Sequence, residues 1–248
     1  MSIKKLILIT LSLIFFGIGV AMSFIPPRQF IEIGSIIAVV MISLPAFYGL
    51  YRMYGGSGIL AICSLGVFAL VIETIGIHTG FPYSPFEYVM RFGYRIFGTT
   101  PWTVFIAWSP LVIGAWLLAQ KWFNKDWARF LSFLGILVGT DIVLDPGAVA
   151  RGLWKYSNGG LWFDVPLQNF VGWIISGTIA YVILQLVLKN RKIKNTSYMW
   201  IGSLSLLLSI FLWAGVDSGY RLLLPAVLGI MLGSILLLGL VGIKKPSH

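Results

Sequence analysis

Eight long apolar runs divide this chain, at residues 4–23, 31–50, 57–77, 101–120, 130–147, 170–188, 198–216 and 222–243, and most of the breaks between them are short. Each run is close to the ~20 residues that carry an α-helix across the hydrocarbon core of a bilayer. Lipid offers no partner to a backbone N–H or C=O, so only helices and closed barrels span it. Unbroken apolar runs of this length select helices. The predicted fold class is all-α: a polytopic transmembrane helical bundle of about eight spans. Seven is the alternative count, because the fifth run reaches Asp141 and Asp145 before it ends at Pro146-Gly147.

Composition agrees with a hydrocarbon solvent. Hydrophobic residues make up 58% of the chain and charged residues 10%, whereas a soluble domain carries roughly 25% charged residues. The spans and their connections use up the length, so residues 1–248 read as a single integral membrane domain. The net charge of +10 is spread over hydrophilic breaks and forms no basic face. The expected partner is the lipid bilayer, with no nucleic acid. Cys63, the one cysteine, excludes an intrachain disulfide and is expected to be a small buried hydrophobe. Lys4 and Lys5 precede the first run, and Phe24 and Pro26 follow it without a clear small-residue cleavage site. That pattern favours a retained first span over a cleaved leader.

Charge placement predicts orientation. With the N-terminus in the cytoplasm, twelve of the eighteen Lys and Arg fall on the cytoplasmic side, in the N-terminus, the breaks around Arg52, Lys121 and Lys189, and the tail at Lys244-Lys245. Six fall opposite: Arg28, Arg91, Arg95, Arg151, Lys155 and Arg221. The positive-inside rule then expects a multi-pass protein of the cell membrane with both termini cytoplasmic. Turn formers mark the short breaks, among them Pro26-Pro27, Gly55-Gly56 and Asn195. Two breaks are longer, His78 to Thr100 and Ala148 to Asn169, and each is expected to hold a short interfacial or re-entrant helix.

The acids gather at the outer level. Glu32, Glu73, Glu87, Asp141, Asp145, Asp164 and Asp217 all lie in or near that half, and only Asp126 falls inside. An ionisable residue within the membrane is a functional candidate by default; pairing with Arg91, Arg95, Arg151 or Arg221 is the structural alternative. Asp141 and Asp145 are one turn apart on one helix face. Such a pair can share a proton and act as a general acid, or hold magnesium against a diphosphate; capping and pairing with Arg151 is the plainer role. Thr74 and His78 share a face of the third run. Glu73 lies more than a quarter turn away, yet is expected to line the same cavity. His78 is a candidate proton shuttle or rim donor, or simply a cap on its helix. With His248 the only other histidine, no histidine-rich metal site is expected. Asn169 opens the sixth run with its amide toward polar ground. The chain holds 10 Trp, 10 Tyr and 17 Phe, more than an interfacial belt requires. Phe81, Tyr83, Trp154, Trp162 and Trp173 are the candidate walls for a long apolar ligand or a cationic intermediate. Gly135 and Gly139 are expected at close helix packing.

Four stretches carry a family resemblance: Glu73 to Phe86, Pro101-Trp102 to Trp108, Asp141 to Trp154, and Phe163-Asp-Val-Pro-Leu-Gln-Asn-Phe-Val-Gly-Trp173. Across residues 70 to 175 the chain resembles the membrane carotenoid biosynthesis proteins that include the bisanhydrobacterioruberin hydratases, or carotenoid 1,2-type hydratases. The first and last two runs match in hydropathy alone. Glu73, Asp141, Asp145 and Asn169 fall on polar positions of those segments. The resemblance implies water addition to a terminal isoprenoid double bond of an acyclic C50 carotenoid, giving a tertiary alcohol. The substrates would be that carotenoid and water, with other carotenoid biosynthesis membrane enzymes as neighbours. The chemistry asks for a protonated acid, a positioned water and cation-tolerant walls, with no cofactor and no metal, and the chain shows no dinucleotide fingerprint. Asp141 with Asp145 is the candidate acid, with Glu73 or His78 orienting water through Asn169. Two other classes stay open: another isoprenoid enzyme, such as a cyclase or a magnesium-dependent prenyltransferase, and a non-enzymatic lipid or carotenoid carrier or proton-coupled transporter. Only Asp141-x-x-x-Asp145 has prenyltransferase-like spacing, and no internal repeat of the kind common in transporters is evident.

Overall fold

The computed structural model describes residues 3–25 and 31–242. Pro26-Pro27, Arg28, Lys244, Lys245 and His248 lie outside the described residues, as does the side chain of Glu32. Among the described residues, eight helical spans are long and apolar enough to cross a membrane. Six are single helices: α1 (Ile3–Ser23), α2 (Ile31–Tyr54), α3 (Gly56–Thr79), α6 (Asp126–Ala150), α7 (Leu167–Leu188) and α10 (Leu223–Gly242). The fourth joins α4 (Val104–Ala107) to α5 (Ser109–Trp122), and the seventh runs from a 3₁₀ turn at Thr196–Tyr198 through α8 (Met199–Gly202) into α9 (Leu204–Gly219). Gly55 alone separates α2 from α3, at a φ of 61° that favours glycine.

Large apolar side chains such as Leu13, Val67, Leu186 and Leu238 are exposed, as expected where hydrocarbon is the solvent. Cys63 belongs to this outer surface; it is exposed, not buried as its apolar setting suggested. Position in an apolar run does not decide burial when the surroundings are apolar too.

The seventh span is the hub, with α9 packed on α1, α2, α5, α6 and α10. Small residues let the backbones meet. A Cβ at Gly215 would strike the Phe16 carbonyl of α1, and one at Gly19 would strike the Leu212 carbonyl of α9. The C-terminal half of α2 closes on α8 in the same way through Gly49 and Gly202. Of the two glycines expected at close packing, Gly139 faces Leu232 Cδ2 at 3.3 Å, but Gly135 has nothing within 4 Å of its Cβ position. At one end of the bundle, Lys4 Nζ donates to the Leu240 carbonyl (3.1 Å) and Lys121 Nζ to that of Gly239 (2.6 Å). These lysines satisfy carbonyls that the end of α10 leaves free.

The two long breaks fold as strands and turns, not as the expected short helices. β1 (Phe86–Tyr88) pairs antiparallel with β4 (Trp154–Tyr156), with Phe86 opposite Tyr156, Glu87 opposite Lys155 and Tyr88 opposite Trp154. β2 (Arg95–Ile96) and β3 (Thr100–Pro101) form a second small hairpin. Aromatic, charged, aromatic in both β1 and β4 is the period-2 alternation of a strand pair with one buried face. Its aromatic side turns toward the bundle, while Lys155 Nζ meets Glu87 Oε1 outside at 2.9 Å.

The α1–α9 contact yields a stability prediction. Gly215→Leu should lower stability by about 1–3 kcal/mol through overpacking, visible as a fall in Tm in detergent. Gly135→Leu should leave Tm near the parent value. Equal Tm values for the two variants would contradict this packing.

Candidate active site

Pro146 shapes the centre of the site. It sits inside α6 and has no N–H to offer the carbonyl four residues earlier. The Trp162 indole takes that place, donating Nε1–H to the Ile142 carbonyl at 3.0 Å. The loop after α6 is thereby tied back along the turn that carries Asp141 and Asp145. The start of α7 is fixed separately, by Gln168 Nε2 donating to the Gly80 carbonyl at 3.0 Å. Asn169 follows in the first turn of α7.

Asn169 Nδ2 donates to Asp141 Oδ2 and to Asp145 Oδ2, both at 2.8 Å. All three residues are buried. The Tyr156 hydroxyl, from β4, donates to Asp145 Oδ2 at 2.6 Å. Across the site, Tyr88 of β1 donates to Glu73 Oε1 on α3. Burial raises the Tyr156 and Tyr88 phenols well above the ordinary tyrosine range, and the adjoining carboxylates push them further. Both hydroxyls are therefore protonated donors at any physiological pH. Outside the spans, the hydrogen bond and charge of Lys155 hold the Glu87 carboxyl below its usual range.

No cation answers these acids. Among the described residues the ion pairs are Arg129–Asp126, Lys189–Asp126 and Lys155–Glu87, all elsewhere. Arg151, the expected partner, instead donates to the carbonyls of Met22 and Ile25 and fastens the end of α1. Two carboxyls bridged by one amide in low dielectric, with no ion pair to a cation among the described residues, are an arrangement that a shared proton would relieve. Asp141 Oδ1 is buried without a hydrogen-bond partner among the described residues, and Asp141 is not part of the cavity lining.

The cavity has a volume of about 450 Å³, within the range of small-molecule sites. Asp145, Asn169, Glu73, Tyr88 and Tyr156 contribute polar groups to its wall, and most of the rest is apolar or aromatic. Of the predicted wall residues, Trp154, Trp173 and Tyr83 line it. Trp162 serves the α6 carbonyl instead. Phe81 is 59% exposed beyond the end of α3. His78 is exposed and has only Thr99 Oγ1 at 3.5 Å; five residues of helix put it about 140° around the axis from Glu73. Asp217 is fully buried against Gly147, outside the cavity lining, and neither of its carboxyl oxygens has a hydrogen-bond partner among the described residues. Asp164 is exposed in the loop after β4. Tyr88 and Tyr156, the carboxyl partners, were not among the sequence candidates. Neither were Phe86 and Trp108 of the cavity wall. Among the described residues no three His, Cys, Asp or Glu side chains converge as a metal site.

Comparison with known proteins places the chain in a family. Residues 30–236 match the family described as carotenoid biosynthesis protein. A bisanhydrobacterioruberin hydratase from Haloarcula japonica is 32% identical over 202 residues, covering 78% of this chain and 68% of that relative. No solved structure matches the chain. The chain belongs to the carotenoid biosynthesis protein family.

The Trp162 bond can be tested apart from chemistry. Trp162→Phe strands the half-buried Ile142 carbonyl, a loss of about 1–3 kcal/mol, and should lower Tm. Trp127→Phe, at a tryptophan 62% exposed, should not. Indistinguishable melting of the two variants would contradict the proposed support of α6.

Proposed function

We propose that this carotenoid biosynthesis protein is a hydratase, adding water across a terminal isoprenoid double bond of an acyclic C50 carotenoid without a cofactor. The observation that carries this reading is the carboxyl pair Asp141 and Asp145, joined by Asn169 and presenting Asp145 to an aromatic-walled cavity. The name of the Haloarcula relative supports the same chemistry.

Protonation of a trisubstituted alkene at its less substituted carbon leaves a tertiary carbocation. In this mechanism Asp145 gives up the proton, and Asp141 with Asn169 spreads the charge left on the pair. The Tyr156 hydroxyl stabilises the resulting Asp145 carboxylate by a charge-assisted hydrogen bond. Faces of Trp154 and Trp173 shelter the cation. Glu73, held by Tyr88, aligns the water and takes its proton as the C–O bond forms. Return of one proton to the Asp141–Asp145 pair and loss of one from Glu73 close the cycle. The sum is alkene plus water to tertiary alcohol, with no electron acceptor required. His78 has no part in it.

A cyclase would use the same proton and the same cation but exclude water. The hydrophilic Asn169, Tyr156 and Tyr88 beside Asp145 and Glu73 favour a site that admits water. The bundle end gathering Lys4 and Lys121 is assigned to the cytoplasm, so the site lies in the outer half of the membrane, where other enzymes of carotenoid biosynthesis would share the substrate.

Expression in cells that make an acyclic C50 carotenoid with unhydrated ends tests the assignment, with mass spectrometry of the pigment as readout. The parent chain should add one or two waters. Asp145→Asn should lower conversion by on the order of 10²–10⁴-fold, the usual weight of a general acid, and Asp141→Asn should lower it as well. A ring-containing product of unchanged mass would make the protein a cyclase. Unchanged pigment despite membrane expression would leave a carrier or transporter.

A further inference from the structure

We infer that the cavity opens sideways into the lipid between α1 and α2, and that Gly34 and Ala38 form a portal through which the body of a long polyene lies while only its end reaches the acids. The inference rests on the hydratase reading for the identity of the occupant. It starts from size. A cavity of about 450 Å³ is in the lower half of the roughly 300–1,000 Å³ that enclose a drug-sized ligand. An acyclic fifty-carbon polyene is far larger and is comparable in length with the ~30 Å hydrocarbon core. Most of such a molecule must remain outside.

The helices show where. The inner half of α2 is closed against the seventh span by the Gly49–Gly202 contact and by Ala46 N donating to Ser205 Oγ at 3.0 Å. Farther out, Leu212 and Trp213 of α9 line the cavity across from α2. On the far side α1 packs on α9. The outer part of α2 borders the cavity, with Ser35 and Val39 in its lining. Gly34 and Ala38 line that cavity and are also exposed. Ile25, at the end of α1, lines it too and is 52% exposed. A Cβ built on Gly34 meets nothing within 4 Å among the described residues.

Depth agrees with a lateral opening. Gly34 and Ala38 lie three and seven residues from the start of α2, about 5–10 Å along the helix. Glu73 and Asp145 lie six and five residues from the ends of α3 and α6, about 8–9 Å. Opening and acids share one membrane level, so a polyene resting in lipid can present its end without leaving the bilayer.

The test uses the full chain in lipid nanodiscs, with Gly34→Leu and Ala38→Phe as portal variants and Ile37→Phe as control. Ile37 is exposed on α2 and does not line the cavity. Leucine is also the better helix former at position 34, so loss of folding is not expected there. Two quantities are read: C50 polyene retained per protein, and water addition to that polyene and to a fifteen-carbon acyclic isoprenoid with the same end. The parent and Ile37→Phe should retain the polyene. The portal variants should retain about tenfold less or lower, as filled apolar pockets do, and should lose activity on the polyene by a clearly larger factor than on the short compound. Undiminished retention in the portal variants, equal loss of both activities, or no retention by the parent would overturn the portal. Retention that depends on Gly34 and Ala38 without any water addition would keep the portal and sink the hydratase reading instead.

Discussion

Hydrocarbon solvates neither a carbonyl nor a carboxyl, so the polar groups of this chain that enter the membrane depend on partners within the chain, and most of those described find one, Asp217 being an exception. The consequences run through the molecule. Lys4 and Lys121 answer the open carbonyls of α10, Arg151 those of α1, and Trp162 the one that Pro146 leaves free. Hydroxyls of Ser12, Thr74 and Ser209 fold back on their own helices. Where partners are carboxyls without cations, at Asp141 and Asp145, satisfaction comes from one amide and one phenol. In the hydratase proposed here, a proton kept on that pair would supply both neutrality and the reagent.

The two long loops complete what the helices begin. β1 and β4 come from breaks separated by two spans, and their pairing brings Tyr88 to Glu73 and Tyr156 to Asp145. One small sheet thus positions a donor for each cavity-facing acid. The exposed Glu87–Lys155 pair adds little stability by itself. The burial of Phe86, which packs edge-on to Tyr88 and tilted against Tyr156, does more to hold the register. Loss of the sheet would leave both acids in place and both without their phenols.

Much of this was legible in the sequence, for physical reasons. A 20-residue apolar period has one structural meaning in lipid, so eight spans followed from hydropathy. Four-residue spacing put Asp141 and Asp145 together because helix geometry fixes it. The same geometry, applied to Glu73 and His78, argues against a shared cavity, and His78 indeed faces away. Phe86-Glu87-Tyr88 and Trp154-Lys155-Tyr156 carried a strand signal, hidden because each is three residues long and its partner is remote. Pro146 announced a free carbonyl at Ile142, but nothing local named Trp162 as its donor. Exposure of Phe81 and Cys63 depends on which way each helix and turn faces, and that is decided by packing, not by composition.

The proton and the water leave separable marks on the product. Reaction of the purified protein in D₂O, and separately in ¹⁸O-labelled water, followed by mass spectrometry, reads both. Acid-initiated hydration predicts one non-exchangeable deuterium on the carbon next to the alcohol and one ¹⁸O in the tertiary hydroxyl. A product carrying ¹⁸O without carbon-bound deuterium, or deuterium in a ring without ¹⁸O, would contradict it.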